Sequence, residues 1–109
     1  MTNTEQTWRY RVTEDDSKQT VHLAGEIDML AAEQIEGVLV AAAGDGALLI
    51  DLRAVTFIDS CGIRALVAAA SAARRARHAC GLANVNGQPH RALSVAGVLA
   101  AFPRSAGHT

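Results

Sequence analysis

Aromatic side chains are scarce in this 109-residue sequence, which has only Trp8, Tyr10, Phe57 and Phe102. That leaves no series of stacking platforms of the kind that binds single-stranded nucleic acid. Excess charge is lacking too: ten basic and eleven acidic residues give a net charge of -1, so neither nucleic acid nor an anionic membrane is attracted in general. No apolar run reaches the roughly 18 to 20 residues of a membrane span, because Gly44-Asp45-Gly46 interrupts the longest candidate. The polar start Met-Thr-Asn-Thr-Glu-Gln-Thr lacks the basic-then-apolar order of a secretory signal. A cytoplasmic protein is expected, with partners chosen by local surface features and no direct contact to nucleic acid or membrane.

Cysteine is nearly absent. Cys61 and Cys80 are too few and too far apart for a disulfide framework or a zinc site. They are either two ordinary thiols or a redox-linked pair, and the second requires them within about 7 Å. Cofactor signatures are missing as well. The glycines are too scattered for a dinucleotide fingerprint, and no Gly-x-x-x-x-Gly-Lys loop exists to hold a nucleotide phosphate, so any ATP is bound by another protein. No Gly-x-Ser-x-Gly elbow is present, and none of His22, His78, His90 and His108 is tied to a serine by spacing. No enzymatic activity, metal or cofactor is expected.

What the chain does have is aliphatic material for one core: 50% of its residues are apolar, mostly Ala, Val and Leu. A domain of this size buries roughly 60 to 70% of its unfolded surface. Alternation in Trp8-Arg9-Tyr10-Arg11-Val12 predicts a half-buried strand, Thr13 to Ser17 a polar turn, and Thr20 to Ala24 the second strand of a hairpin. Asp28 is a helix N-cap candidate, followed by Ala31, Ile35, Val38, Leu39 and Ala42 at helical spacing. Ala47 to Leu52 is a nearly continuous apolar run, the mark of a central strand covered on both faces. Arg53 to Asp59 reads as a connection whose Val55, Phe57 and Ile58 pack inward.

A second helix is predicted from Ser60 to about His78, with Ile63, Leu66, Val67 and Ala70 inward and a solvated cluster of Arg74, Arg75, Arg77 and His78 at its end. A short strand over Gly81 to Asn86 follows, then a third helix beginning near Pro89 and stopped by Gly97, with Val98 to Phe102 tucked back onto the core. The expected fold is α/β: one domain over residues 8–102, with a mixed, largely parallel sheet of four or five strands, packed helices and loose tails at 1–7 and 103–109.

Two acidic turns stand out, Gly25-Glu26-Ile27-Asp28 and Asp51-Leu52 with Asp59-Ser60-Cys61-Gly62. Both are expected at strand C-terminal ends, where open α/β sheets carry their sites. Ser60 has two readings from its chemistry. A serine at a helix start is a common N-cap. The same place tolerates a phosphate, whose charge of about -1.5 to -2 suits a helix N-terminus.

The segments Leu23-Ala24-Gly25-Glu26-Ile27-Asp28, Leu49-Ile50-Asp51-Leu52, Val55 to Ile63 and Leu93 to Val98 resemble the successive signatures of STAS domains, specifically those of bacterial anti-sigma factor antagonists. The resemblance implies a partner-switching role. The unphosphorylated protein binds an anti-sigma factor that is also a serine kinase and so frees a sigma factor; phosphorylation by that kinase dissociates the pair, and a serine phosphatase resets it. On this resemblance Ser60 is the phosphoacceptor, and Glu26, Asp28, Asp59, Cys61, Gly62 and Arg64 belong to the partner-binding surface, with Gly62 permitting close backbone approach. Cys61 stands where the family commonly has Ser or Thr, which leaves Ser60 the only hydroxyl of the motif and sets a thiol beside it. The alternative implied by the same family is a ligand-binding or scaffold subunit of a transport or lipid-trafficking complex.

Overall fold

The computed structural model describes residues 7–102. The expected order of elements is observed: β1 (Trp8–Asp15), β2 (Lys18–Ile27), α1 (Met29–Asp45), β3 (Ala47–Ile58), α2 (Ser60–Ala76), β4 (Cys80–Ala83) and α3 (Gly87–Ala96), closed by a 3-10 turn at Leu99–Ala101. Among the described residues the sheet has four strands in chain order, with β1 antiparallel to β2 and the β2, β3 and β4 pairings parallel. Except for Thr7, the tails expected at 1–7 and 103–109 lie outside the described residues.

The hairpin turn is tighter than the polar stretch from Thr13 to Ser17 implied. Only Asp16 and Ser17 leave the ladder, with φ of 51° and 69°. Positive φ at both positions gives a turn whose twist matches that of the strands, so pairing runs on to Asp15 opposite Lys18. β1 is also not half-buried: only Trp8 is partly covered, while the core-side Tyr10 and Val12 stay 44% and 43% exposed. The reason is position. β1 is the sheet's edge, and α1 packs on β2 and β3.

The segment expected to be a connection after Leu52 is strand. β3 continues to Ile58 beside β2, with register shifts opposite His22/Ala24 and Gly25/Glu26. Such bulges add residues to one strand and break strict alternation. Val55 and Ile58 therefore point inward while Phe57, expected to be buried, is 41% exposed. The fourth strand is shorter than expected, ending at Ala83.

The core is continuous from the sheet to the helices and includes Val21, Leu23, Leu39, Leu48, Ile50, Leu52, Leu66, Leu82 and Leu93. α1 and α2 pack on each other, and most of their buried residues are alanines, among them Ala31, Ala42, Ala43, Ala69, Ala72 and Ala73. Small side chains let the two helices lie close and so bring their N-termini together. Gly97 ends α3 with φ 73° as expected, and Phe102 is buried against the core.

Candidate functional site: two adjoining helix starts

The parallel register pairs Ile27 with Ile58, and the Asp59 N–H donates to the Ile27 carbonyl at 3.3 Å. The residues that follow, Asp28 and Asp59, thus begin two helices side by side at the C-terminal edge of the sheet. Both isoleucines are almost fully buried, each contributing roughly 1.5–3 kcal/mol, so the core fixes the backbone immediately before each helix. Asp28 caps α1 as expected, accepting from the Ala31 N–H at 3.1 Å.

In α2 the cap is Asp59, not Ser60. Its Oδ1 accepts from the N–H groups of Cys61 at 2.9 Å and Gly62 at 3.0 Å, and its charge complements the helix dipole in a way a hydroxyl does not. Ser60 is the first residue of the helix, exposed, and takes no part in the cap. The structural role a serine has at a helix start has been taken over by its neighbour.

Gly62 is buried, and the close approach it permits is internal. A Cβ there would lie 2.7 Å from the Ile27 carbonyl oxygen and 2.6 Å from the Ile58 Cγ1. The glycine lets the first turn of α2 sit down on the ends of β2 and β3. A second restraint comes from α3. The Gln88 side chain accepts from the Ile58 N–H at 2.9 Å and donates to the Ile58 carbonyl at 3.0 Å, standing in for a neighbouring strand where β4 has already ended.

A groove of about 350 Å³ lies beside this turn, lined by Met29, Leu30, Ala32, Glu33 and Glu36 of α1 and Cys61 and Arg64 of α2. Of the residues singled out by sequence, the structure brings Cys61 and Arg64 into this groove and sets Asp28, Asp59 and Ser60 at the two helix starts next to it. Glu26 is exposed on β2 opposite Phe57. Sequence reasoning missed Met29 and Leu30, which are 64% and 68% exposed. Their signal was present: neither fits the buried stripe of Ala31, Ile35 and Leu39.

Asp51 does not belong to this edge. With β3 extended, it lies mid-strand, where its carboxylate accepts from His22 Nδ1 at 2.9 Å, Asn84 Nδ2 at 2.9 Å and the Arg53 N–H at 3.0 Å. Burial raises its pKa, but these three bonds outweigh that and hold it below the ordinary carboxylate value. Since a carboxylate only accepts, His22 donates from Nδ1, leaving Nε2 for the Thr13 hydroxyl at 3.1 Å. His22 is thus committed to the sheet. His78, grouped above with the solvated arginines, donates from Nδ1 to the Ala43 carbonyl at 3.0 Å, whereas Arg74, Arg75 and Arg77 are exposed.

The redox pair is excluded by geometry. Cys61 lies in the first turn of α2, whose 17 residues run about 25 Å, and Cys80 follows its far end, pairing with Leu48 at the start of β3. Both are free thiols. Burial pushes the Cys80 thiol up to about 11, keeping it protonated and unreactive. Among the described residues, no helix is long and apolar enough to cross a membrane and no cluster of side chains is suited to a metal.

A four-stranded mixed sheet with three packed helices is the architecture of a STAS domain. The model of that family matches residues 9–107, and the chain belongs to it. An anti-sigma factor antagonist from Mycobacterium paratuberculosis is similar at 30% identity, with 88% of this chain and 83% of that chain covered and a TM-score of 0.78. The anti-sigma factor antagonist SpoIIAA of Bacillus, in its unphosphorylated form, shares the fold at 16% identity and TM-score 0.76, covering 90% of this chain and 89% of that one. The murine anion transporter Slc26a9 also contains this fold, at 22% identity and TM-score 0.67; 81% of this chain matches 15% of that chain. No curated protein matches the sequence.

Proposed function

We propose that this chain is a cytoplasmic anti-sigma factor antagonist whose unphosphorylated form binds an anti-sigma factor acting as a serine kinase, releases the sigma factor, and is switched off by phosphorylation of Ser60. The observation that carries this reading is the cap of α2. Because Asp59 satisfies the first free amides, the Ser60 hydroxyl is exposed at a helix start without a structural task. Its phosphorylation therefore costs the fold little, yet adds about -1.5 to -2 charges beside Glu26, Asp28 and Asp59.

Met29 and Leu30 supply the apolar part of the docking surface, and Glu33, Glu36 and Arg64 its polar rim. The antagonist performs no chemistry. ATP is held by the kinase, and a separate serine phosphatase restores the hydroxyl. The likeness to the mycobacterial antagonist at 30% identity supports this reading. So does the fact that SpoIIAA, a protein of the same fold, exists in both unphosphorylated and phosphorylated forms.

The test is incubation with candidate anti-sigma kinases and ATP, with the phosphate mapped by mass spectrometry and binding measured for Ser60→Ala and Ser60→Asp. Phosphate is expected on Ser60 alone. Ser60→Ala should bind as the parent does, and Ser60→Asp should lose about 100-fold or more in affinity, as expected when a charge meets a desolvated contact. A phosphate mapped to another residue, or equal binding by both variants, refutes the switch.

A further inference from the structure

Among the described residues β1 pairs on one side only, with β2, and no strand lies on its other edge. In an antiparallel pair, alternate residues turn their N–H and C=O toward the partner. The phase is set at both ends of this hairpin. The Glu26 N–H donates to the Thr7 carbonyl at 2.8 Å, and the two-residue turn closes on the pair Asp15 and Lys18. Arg9, Arg11, Thr13 and Asp15 therefore direct their backbone groups to β2, while Trp8, Tyr10, Val12 and Glu14 turn theirs outward.

Edge strands that must stay single are blunted by a proline, a bulge or charged side chains, lysine above all. β1 has no proline, lysine or bulge: its eight residues, WRYRVTED, keep an unbroken register with β2, and its four charges are of both signs. It also carries uncovered apolar surface on one face, where Val12 and Tyr10 are exposed and Tyr10 stacks on Trp8 with ring centroids 6.5 Å apart. Its charges are segregated, with Arg9 and Arg11 in the first half and Glu14 and Asp15 in the second. Reversed against itself, such a strand is complementary in charge.

We propose that β1 pairs with the β1 of a second copy of this chain, antiparallel about a twofold axis between the two Val12 residues, to give one continuous sheet through both molecules. A twofold perpendicular to the sheet keeps each face continuous, so only registers opposing residues of the same face are allowed. Centred on Val12, Arg9 opposes Asp15, Arg11 opposes Thr13 and Tyr10 opposes Glu14. The outward backbone groups of Tyr10, Val12 and Glu14 then meet as hydrogen-bonded pairs. Centring on Arg11 would set Arg11 against Arg11, a repulsive cross-strand pair. Centring on Thr13 gives up the overlap of Arg9 and Tyr10. No residue of β1 lines the groove beside Ser60, so the dimer presents two docking sites.

Sedimentation equilibrium of the full chain across the micromolar range tests this. A concentration-dependent monomer–dimer equilibrium is expected. Val12→Pro removes an outward N–H and no bond of the hairpin, so the fold, checked by circular dichroism, should persist while the dimer is lost. Arg9→Asp and Asp15→Arg should each weaken the dimer by about tenfold through two symmetry-related ion pairs, and the double variant should restore it. A chain monomeric at every concentration, or a dimer indifferent to Val12→Pro, overturns the proposal. Failure of the double variant to recover overturns the Val12-centred register.

Discussion

The starts of α1 and α2 are built on one plan and loaded differently. Each follows a buried isoleucine, and each is capped by an aspartate. At the next position the first helix displays Met29 and the second Ser60; then come Leu30 and Cys61, Ala31 and Gly62, and, two further on, Glu33 and Arg64. The first start exposes apolar surface and the second a hydroxyl. On the function proposed above, adhesion and switching fall on neighbouring but separate elements, so a modification of one need not rebuild the other.

The comparison can be broken most severely at the third position after the cap. Ala31 is fully buried without conflict, whereas a Cβ on Gly62 would press on the Ile27 carbonyl, a backbone atom that cannot rotate away. Gly62→Ala should therefore destabilise by about 1–3 kcal/mol, the usual range for overpacking. The reciprocal Ala31→Gly loses a methyl contact and helix propensity, at about 1 kcal/mol or somewhat more. Urea denaturation of both variants checks this, and a Gly62→Ala protein as stable as the parent would remove the packing account of the glycine.

Loading of the first start is tested by Met29→Ala with Leu30→Ala. Folding stability should change by no more than about 0.5 kcal/mol per exposed site. Affinity for the anti-sigma partner should fall about tenfold or more if these side chains are the docking anchors. Calorimetric titration beside the denaturation curves separates the two effects, and an unchanged affinity would move the docking surface elsewhere.

How much of this was legible beforehand depended on whether the signal was local. The order of elements, the Asp28 cap and the Gly97 stop follow from periodicity and end-chemistry within a few residues, and all are present. The extension of β3 was not legible, because Val55 and Ile58 are three apart and only the bulges against β2 make both face inward. The exposure of β1 depends on where α1 lies, which alternation does not encode. Gln88 gave no signal at all, since its bonds to Ile58 cross 30 residues of sequence. At the second helix start, the division between Asp59 and Ser60 was not legible. Either side chain suits an N-cap, and only the observed helix boundary decides between them.

The two caps themselves differ by one bond. Asp28 accepts one backbone N–H and Asp59 accepts two. Replacement of such a cap by alanine costs about 0.5–2 kcal/mol, and Asp59→Ala is expected at the upper end of that range with Asp28→Ala below it. Thermal or urea unfolding would measure the difference; equal losses would mean that the second bond adds nothing. Asp59→Ala should also be the variant in which Ser60 turns to capping, reducing its availability to the kinase of the proposed switch.

A third aspartate sharpens what makes the caps special. Asp51 lies on the same strand as the turn before Ser60 but spends its carboxylate on His22, Asn84 and Arg53, joining β2, β3 and the end of β4. Its pKa is held below the ordinary 3.8, so the folded state binds this proton less readily than the unfolded chain does. The resulting stabilisation is fully present above the unfolded value and is lost as the pH falls through the folded one. Compared with Asp51→Asn, the parent should hold its advantage near neutrality and lose it progressively below pH 3.8. Denaturation midpoints of the two proteins across that window provide the measurement. A difference independent of pH would mean that the network is held by its geometry and not by the charge on Asp51.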